Sequence, residues 1–243
     1  MADVVAIGGA NIDIKAKAVG NVLPGTSNPG TVTVSPGGVA RNIAHNLAVL
    51  GENVALLAAI GNDAASETLL AASRDAGIDM SHAMRVEGNA DTYVATLDGK
   101  GELVAAINAM PNVARLDAAY LETKKGLLKK ARYMIADCNL EAKVLRHLVQ
   151  VFGAKLLIDP VSVPKVQRLL EAGQRFDVLA LTPNRDQLAA LTGTSDVAGG
   201  CRRLHARGVA NVVVHLGANG ALVSQSRGMK EVPGAPRRGP GRR

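Results

Sequence analysis

Short runs of Val, Leu and Ile recur along this chain, separated by stretches with a helical period, and that alternation limits the fold more than any single motif. The strand-like runs are Val4 to Gly8, Val54 to Ile60, Tyr133 to Ala136, Lys155 to Asp159, Val178 to Leu181 and Val212 to Leu216. Between them the helical period covers Val39 to Leu50, Glu67 to Ala76, Glu141 to Phe152, Pro164 to Ala172, Asn184 to Leu191 and Val197 to Arg207. A strand that is apolar at every position needs cover on both faces, and crossover helices supply it. The expected fold is therefore α/β, with a doubly wound, mostly parallel sheet.

Two stretches break this rhythm. Thr31 to Val34, and Thr92 to Leu97 followed by the turn Asp98 to Gly101 and then Leu103 to Ile107, alternate polar and apolar residues with period two. They read as antiparallel strands outside the βα series, drawn from residues 12–35 and 90–108 and forming a small β lid. The turn Ala218-Asn219-Gly220, between Val212 to Leu216 and Ala221 to Ser224, marks a further hairpin.

Composition narrows the classes of partner. The net charge of +7 is concentrated at one end: Arg237 to Arg243 holds four Arg, and removing these from the 28 basic residues leaves 24 against 21 acids. Aromatic residues make up only 2% of the chain, with no Trp, so the stacking platforms of single-stranded nucleic-acid binders are missing and nucleic acid is not the expected partner. Cys138 and Cys201 are too few for a disulfide framework and lack zinc-site spacing, which fits a reducing, cytoplasmic setting. No apolar run reaches the roughly 18 residues of a membrane span, and no basic segment precedes the first apolar run.

The residues that could carry chemistry lie at strand ends, where open α/β sheets meet ligands. The first strand runs into Gly8-Gly9-Ala10-Asn11-Ile12-Asp13. In an extended segment Asn11 and Asp13 share a side, where amide and carboxylate could hold neighbouring sugar hydroxyls; equally, Asp13 could cap a turn. Gly37 and Gly38 let the backbone approach a ligand, and Asn42 comes from the first turn of the next helix. In that helix Val39, Ile43, Leu47 and Leu50 read as the buried stripe, with Arg41 and Asn42 off it and His45 and Asn46 exposed. The dinucleotide spacing G-x-G-x-x-G is absent, as is any Ser/His/Asp or metal-ligand cluster.

The runs Gly8 to Asp13, Gly37 to Ala44, Thr182-Pro183-Asn184 and Val212 to Gly220 together resemble the PfkB, or ribokinase-like, family of sugar and nucleoside kinases. Within it, Thr26 to Gly30, Gly37 to Ala44, Leu103 to Ile107 and Ile158 to Ser162 are most similar to pseudouridine kinases. The resemblance extends from about Val4 to about Pro233. It implies a doubly wound domain with a β lid, and transfer of the ATP γ-phosphoryl group, with Mg²⁺, to a nucleoside or sugar hydroxyl, here the ribose 5′-hydroxyl. Asn11, Asp13, Gly37, Gly38 and Asn42 would bind the ribose, Asn28 would approach the base, and the lid strand around Thr92 would close over it. Asn184, Gly217 and Gly220 would border the nucleotide, and the edge of Thr31 to Val34 could pair with a second copy.

The chain also departs from the family pattern. Gln187 stands where the family's glutamate helps organise the metal, and His215 where a small hydroxyl residue is common, so the metal ligands stay unassigned. The family's Asp-Thr-x-Gly-Ala-Gly-Asp run, whose last Asp is the general base, is not among the 243 residues, and no catalytic residue is assigned. The expectation is a domain over residues 1–233, incomplete at its C-terminus, then a basic Pro/Gly/Arg tail over 234–243. The alternatives are a non-catalytic nucleoside-binding remnant and a fragment without function.

Overall fold

Residues 2–234 are described by the computed structural model, and the chain divides into two units, the first ending at Glu141 and the second starting at Ala142. The basic tail beyond Gly234 lies outside the described residues.

The first unit contains β1 (Val4–Ile7), β2 (Asn11–Ala18), β3 (Gly30–Gly37), α1 (Val39–Val49), β4 (Val54–Leu57), β5 (Ala59–Ile60), α2 (Ala64–Asp75), β6 (Met84–Arg85), β7 (Thr92–Leu97), β8 (Leu103–Ala109), α3 (Ala118–Thr123), α4 (Lys125–Lys130) and β9 (Tyr133–Asp137). In its parallel sheet β1 lies between β4 and β9, with Val4 opposite both Val54 and Tyr133. Every residue of β1 and β4 is buried, as expected of strands covered on both faces. The run through Ile60 breaks at Ala58, after which Ala59–Ile60 pairs with β6. Helix α2 starts three residues before its apolar period does, because the Asp63 carboxylate accepts the Ser66 N–H at 2.8 Å as an N-cap. Helices α3 and α4, each only six residues long, are too short to leave a helical period in the sequence.

The lid is a four-stranded sheet in the order β3-β2-β7-β8. Each outer pair is an antiparallel hairpin, but β2 and β7 run parallel, Ile12 opposite Thr92 through Lys17 opposite Leu97. The sheet is thus mixed rather than wholly antiparallel: two hairpins lie side by side with their leading strands pointing the same way.

The second unit contains α5 (Ala142–Phe152), β10 (Leu156–Asp159), α6 (Val163–Ala172), β11 (Ala180–Leu181), α7 (Arg185–Thr192), α8 (Val197–Ala206), β12 (Asn211–His215), β13 (Ala221–Gln225) and β14 (Gly228–Val232). Strands β10, β11 and β12 are parallel neighbours, and β13 and β14 extend them antiparallel. The expected Val178–Leu181 strand shrinks to two residues because the Leu179 N–H turns back to the carbonyls of Gly153 and Leu156, both at 3.0 Å.

One carboxylate braces the base of the second lid hairpin. Asp91, 2% exposed just ahead of β7, accepts the Asn112 N–H at 2.9 Å and the Val113 N–H at 3.2 Å just beyond β8. Burial outweighs these hydrogen bonds and raises its pKa from 3.8 to about 6. With the folded-state value above the unfolded one, the folded chain binds more protons in that window, so this group makes stability fall as pH rises from about 4 to about 6. Urea midpoints across that range are expected to show a shallower decline in Asp91→Asn than in the parent; an unchanged slope would remove Asp91 from the account.

Candidate functional site

In the first unit the site grows from the Gly8-Gly9 turn that ends β1. Gly8 has φ +146°, and a Cβ there would lie 2.4 Å from an Asp137 carboxylate oxygen. Asp137, fully buried at the end of β9, accepts N–H groups from Gly9 at 3.0 Å, Ala40 at 2.9 Å and Asn139 at 2.9 Å, plus the Asn139 side-chain amide at 3.1 Å. One carboxylate therefore ties the turn to the first residues of α1. Burial pushes its pKa up, and these hydrogen bonds oppose that rise. In the sequence Asp137 is a strand-end aspartate with no glycine anion hole after it, and nothing local reveals its partners, which lie 97 and 128 residues away.

The turn delivers Asn11 and Asp13 onto β2, where the Asn11 Nδ2 donates to Asp13 Oδ1 at 2.7 Å. Asp13 lies inside a strand, opposite Ser35, and its recorded hydrogen bond is to a side chain, so it is not a turn cap. Asn11 faces Gly37, where a Cβ would sit 2.4 Å from the Asp13 carboxyl carbon. Gly38, at φ +96°, brings its α-carbon against the Gly9 carbonyl, 2.4 Å from where a Cβ would be. Asn42 follows on α1, exposed, with its N–H on the Gly38 carbonyl at 2.8 Å. Asn11, Asp13 and Gly37 are thus brought together, with Gly38 next to them in the chain and Asn42 one helical turn further along α1.

Five other residues sit differently from what the sequence pattern leads one to expect. Arg41 is not off the buried stripe: it is 5% exposed and reaches Ser73 Oγ, Asn42 Oδ1 and His45 Nδ1, each at 3.4 Å, with burial lowering its pKa. The close Gly38–Gly9 contact turns the small Ala40 and Ala44 inward and leaves Leu50, expected in the core, 79% exposed. His45 is half-buried as Arg41's partner rather than exposed. The Asn28 side chain spans its own loop, with Oδ1 accepting from Leu23 N–H at 2.8 Å and Nδ2 donating to the Leu23 and Thr26 carbonyls. Thr92 pairs with Ile12, and so lies on the sheet face opposite Asp13.

In the second unit Asn184 caps α7. Its side chain accepts the Gln187 N–H at 2.9 Å while Gln187 Oε1 accepts the Asn184 N–H at 2.8 Å, a reciprocal capping box. Gln187 is buried in that role. Gly217, φ +63°, has open space where a Cβ would project, whereas Gly220, φ +91°, is packed against the Val232 carbonyl. Asp159 ends β10, accepting the Val161 N–H at 2.7 Å and the Thr182 hydroxyl at 3.2 Å; burial raises its pKa, while these bonds and His215 lower it. Val161 adopts φ +65°, rare for a β-branched residue. No group of three or more His, Cys, Asp or Glu among the described residues could hold a metal ion.

Residues 1–240 match the model of the pfkB family of carbohydrate kinases. The chain is 33% identical over 232 residues to a pseudouridine kinase of Escherichia coli K12, covering 93% of this chain and 74% of that protein. It is also 33% identical to the uncharacterized sugar kinase YeiI of the same organism, over 96% of this chain but only 66% of the relative. A ribokinase of Thermotoga maritima superposes with a TM-score of 0.79 at 22% identity, over 98% of this chain and 80% of that one, a likeness of fold. The doubly wound architecture with its small lid sheet is the fold expected from the sequence.

Asp137→Ala would leave three buried N–H groups without an acceptor, each costing about 1–3 kcal/mol. Urea unfolding is expected to show a loss of at least about 3 kcal/mol; a loss under about 1 kcal/mol would mean that the turn holds without its clasp.

Proposed function

Because the chain belongs to the pfkB family of carbohydrate kinases, a family of ATP-dependent phosphotransferases, we propose that its first unit binds the ribose of a nucleoside of the pseudouridine kind and presents the 5′-hydroxyl for phosphorylation. The observation that carries this reading is the Asn11–Asp13 pair facing Gly37, where the carboxylate occupies the space of a side chain. A carboxylate with an amide fixed beside it suits two neighbouring sugar hydroxyls, the carboxylate accepting from both. The exposed Asn42 amide adds a donor and an acceptor at the edge, and the Gly37-Gly38 backbone lets the sugar ring come close.

On the nucleotide side we assign the open backbone at Gly217 and the α7 N-terminus at Asn184 to ATP. Mg²⁺ would neutralise phosphate charge, arriving on the nucleotide rather than in a protein cage, as is usual for this ion. A second reading, nucleoside binding without efficient turnover, draws on Gln187: its amide is committed to the capping box and offers no carboxylate for a metal. We also infer a reducing, cytoplasmic setting, since Cys138 and Cys201 are buried and outside any disulfide.

For quaternary structure we infer pairing of two lids. One face of the lid carries the cross-sheet rows Val34–Ile14–Val94–Ile107 and Val32–Ala16–Thr96–Ala105. Val32, Val34 and Ile107 are 65%, 63% and 69% exposed there. An exposed apolar patch without charge has no like-charge repulsion against its own copy, which suits a two-fold interface.

Thermal shift with ribose and with pseudouridine, alongside assay of nucleoside 5′-phosphate formation with ATP and Mg²⁺, tests the site. Both ligands are expected to raise the parent's Tm, with the rise gone in Asp13→Ala; stabilisation that survives this change would overturn the ribose assignment. Light scattering tests the pairing, with a dimer expected to become monomeric in Val34→Lys, and a monomeric parent refuting it.

A further inference from the structure

Building on the ribose site just proposed, we propose that Tyr93 and Asn108, on the lid strands next to Asp13, recognise the base and so set the preference for a nucleoside over a free sugar. Strand register supplies the placement. Asp13 lies opposite Ser35 on one side and Tyr93 on the other, and Tyr93 lies opposite Asn108. Directly paired residues project from the same face of a sheet, so Ser35, Asp13, Tyr93 and Asn108 form one polar row across the lid. The neighbouring rows on the opposite face are Pro36–Ile12–Thr92–Ala109 and Val34–Ile14–Val94–Ile107, almost wholly apolar. Strands lie about 4.8 Å apart, so the row extends roughly 10 Å from Asp13 to Asn108, a span that a nucleoside held by its sugar at Asp13 can bridge.

Tyr93 also stands apart among the aromatic residues. Tyr120, Tyr133, Phe152 and Phe176 each carry a Lys or Arg within 5.7 Å of the ring centroid, and the Tyr120 hydroxyl donates to the His82 carbonyl. Among the described residues no cation and no hydrogen-bond partner is recorded for Tyr93, which is half-buried on a strand. Asn108, exposed two strands from Asp13, likewise has no recorded side-chain hydrogen bond. An unengaged ring offers a planar base a stacking surface, and a side-chain amide offers one donor and one acceptor to the imide edge of a uracil-type base. The row thus divides a nucleoside between a carboxylate for the sugar and a ring with an amide for the base.

Calorimetric titration of the folded full chain with ribose and, separately, with pseudouridine tests this. In Tyr93→Ala, pseudouridine affinity is expected to fall about tenfold or more, from the roughly 1–3 kcal/mol of a base–aromatic stack, with ribose affinity unchanged. Tyr93→Phe keeps the ring and is expected to stay within about threefold of the parent, and Asn108→Ala to weaken pseudouridine alone. Asp13→Ala is expected to lose both ligands. Equal weakening of ribose and pseudouridine in Tyr93→Ala, or no effect on either, would overturn the base assignment while leaving the ribose site in place. Parent protein that binds ribose but gains nothing from the base has the same meaning; folded parent that binds neither sinks the ribose site and this inference with it.

Discussion

A single buried carboxylate holds the first unit's Gly8-Gly9 turn in shape. Asp137 closes on the amides of Gly9, Ala40 and Asn139 at once, joining the end of one strand, the turn after its neighbour and the start of a helix. Bare peptide N–H groups at a turn and at a helix N-terminus usually look to water or ligand for a partner. Here they are satisfied from within, so the Asn11–Asp13 segment leaves the turn in one direction only. Burying a charge carries a desolvation cost, seen in the raised pKa, and the cluster of N–H donors is what makes that burial tolerable.

From that turn the lid follows as a sheet with two unlike faces. Its parity separates the faces: one row is polar and contains Asp13, and the rows on either side of it are almost wholly apolar. The parallel seam between β2 and β7 places Tyr93 beside Asp13 although 80 residues separate them in sequence. A one-residue slip at that seam would exchange the faces and set Thr92 or Val94 beside Asp13. The Ile12 N–H on the Asp91 backbone carbonyl, at 2.8 Å, pins that seam at its start, while the Asp91 carboxylate ties the start of β7 to the chain beyond β8.

Much of this was legible in the sequence because period and glycine placement carry it. The buried strands, the helices flanking them and the role of Gly37 and Gly38 follow from residues close together in the chain. What escaped depends on distance or rotation. Asp137 looks like any strand-end aspartate until its partners, 97 and 128 residues away, are in place. Arg41 reads as a surface residue on a helical wheel, but the wheel's orientation is set by the Gly38–Gly9 contact, which turns small alanines inward and Leu50 outward. Thr92 and Tyr93 are neighbours in sequence, and only strand pairing tells which of them shares a face with Asp13.

The contact between Asp13 and Gly37 has a consequence for how such a chain can drift. The carboxylate fills the volume that any side chain at position 37 would need, within 2.6 Å of an ideal Cβ. The two positions are therefore coupled in mutational space: position 37 cannot leave glycine without displacing the group that the ribose reading depends on. A shorter residue at position 13 would free position 37 only by giving up that carboxylate. A chain with any side chain at position 37 must therefore have moved or lost the carboxylate at position 13.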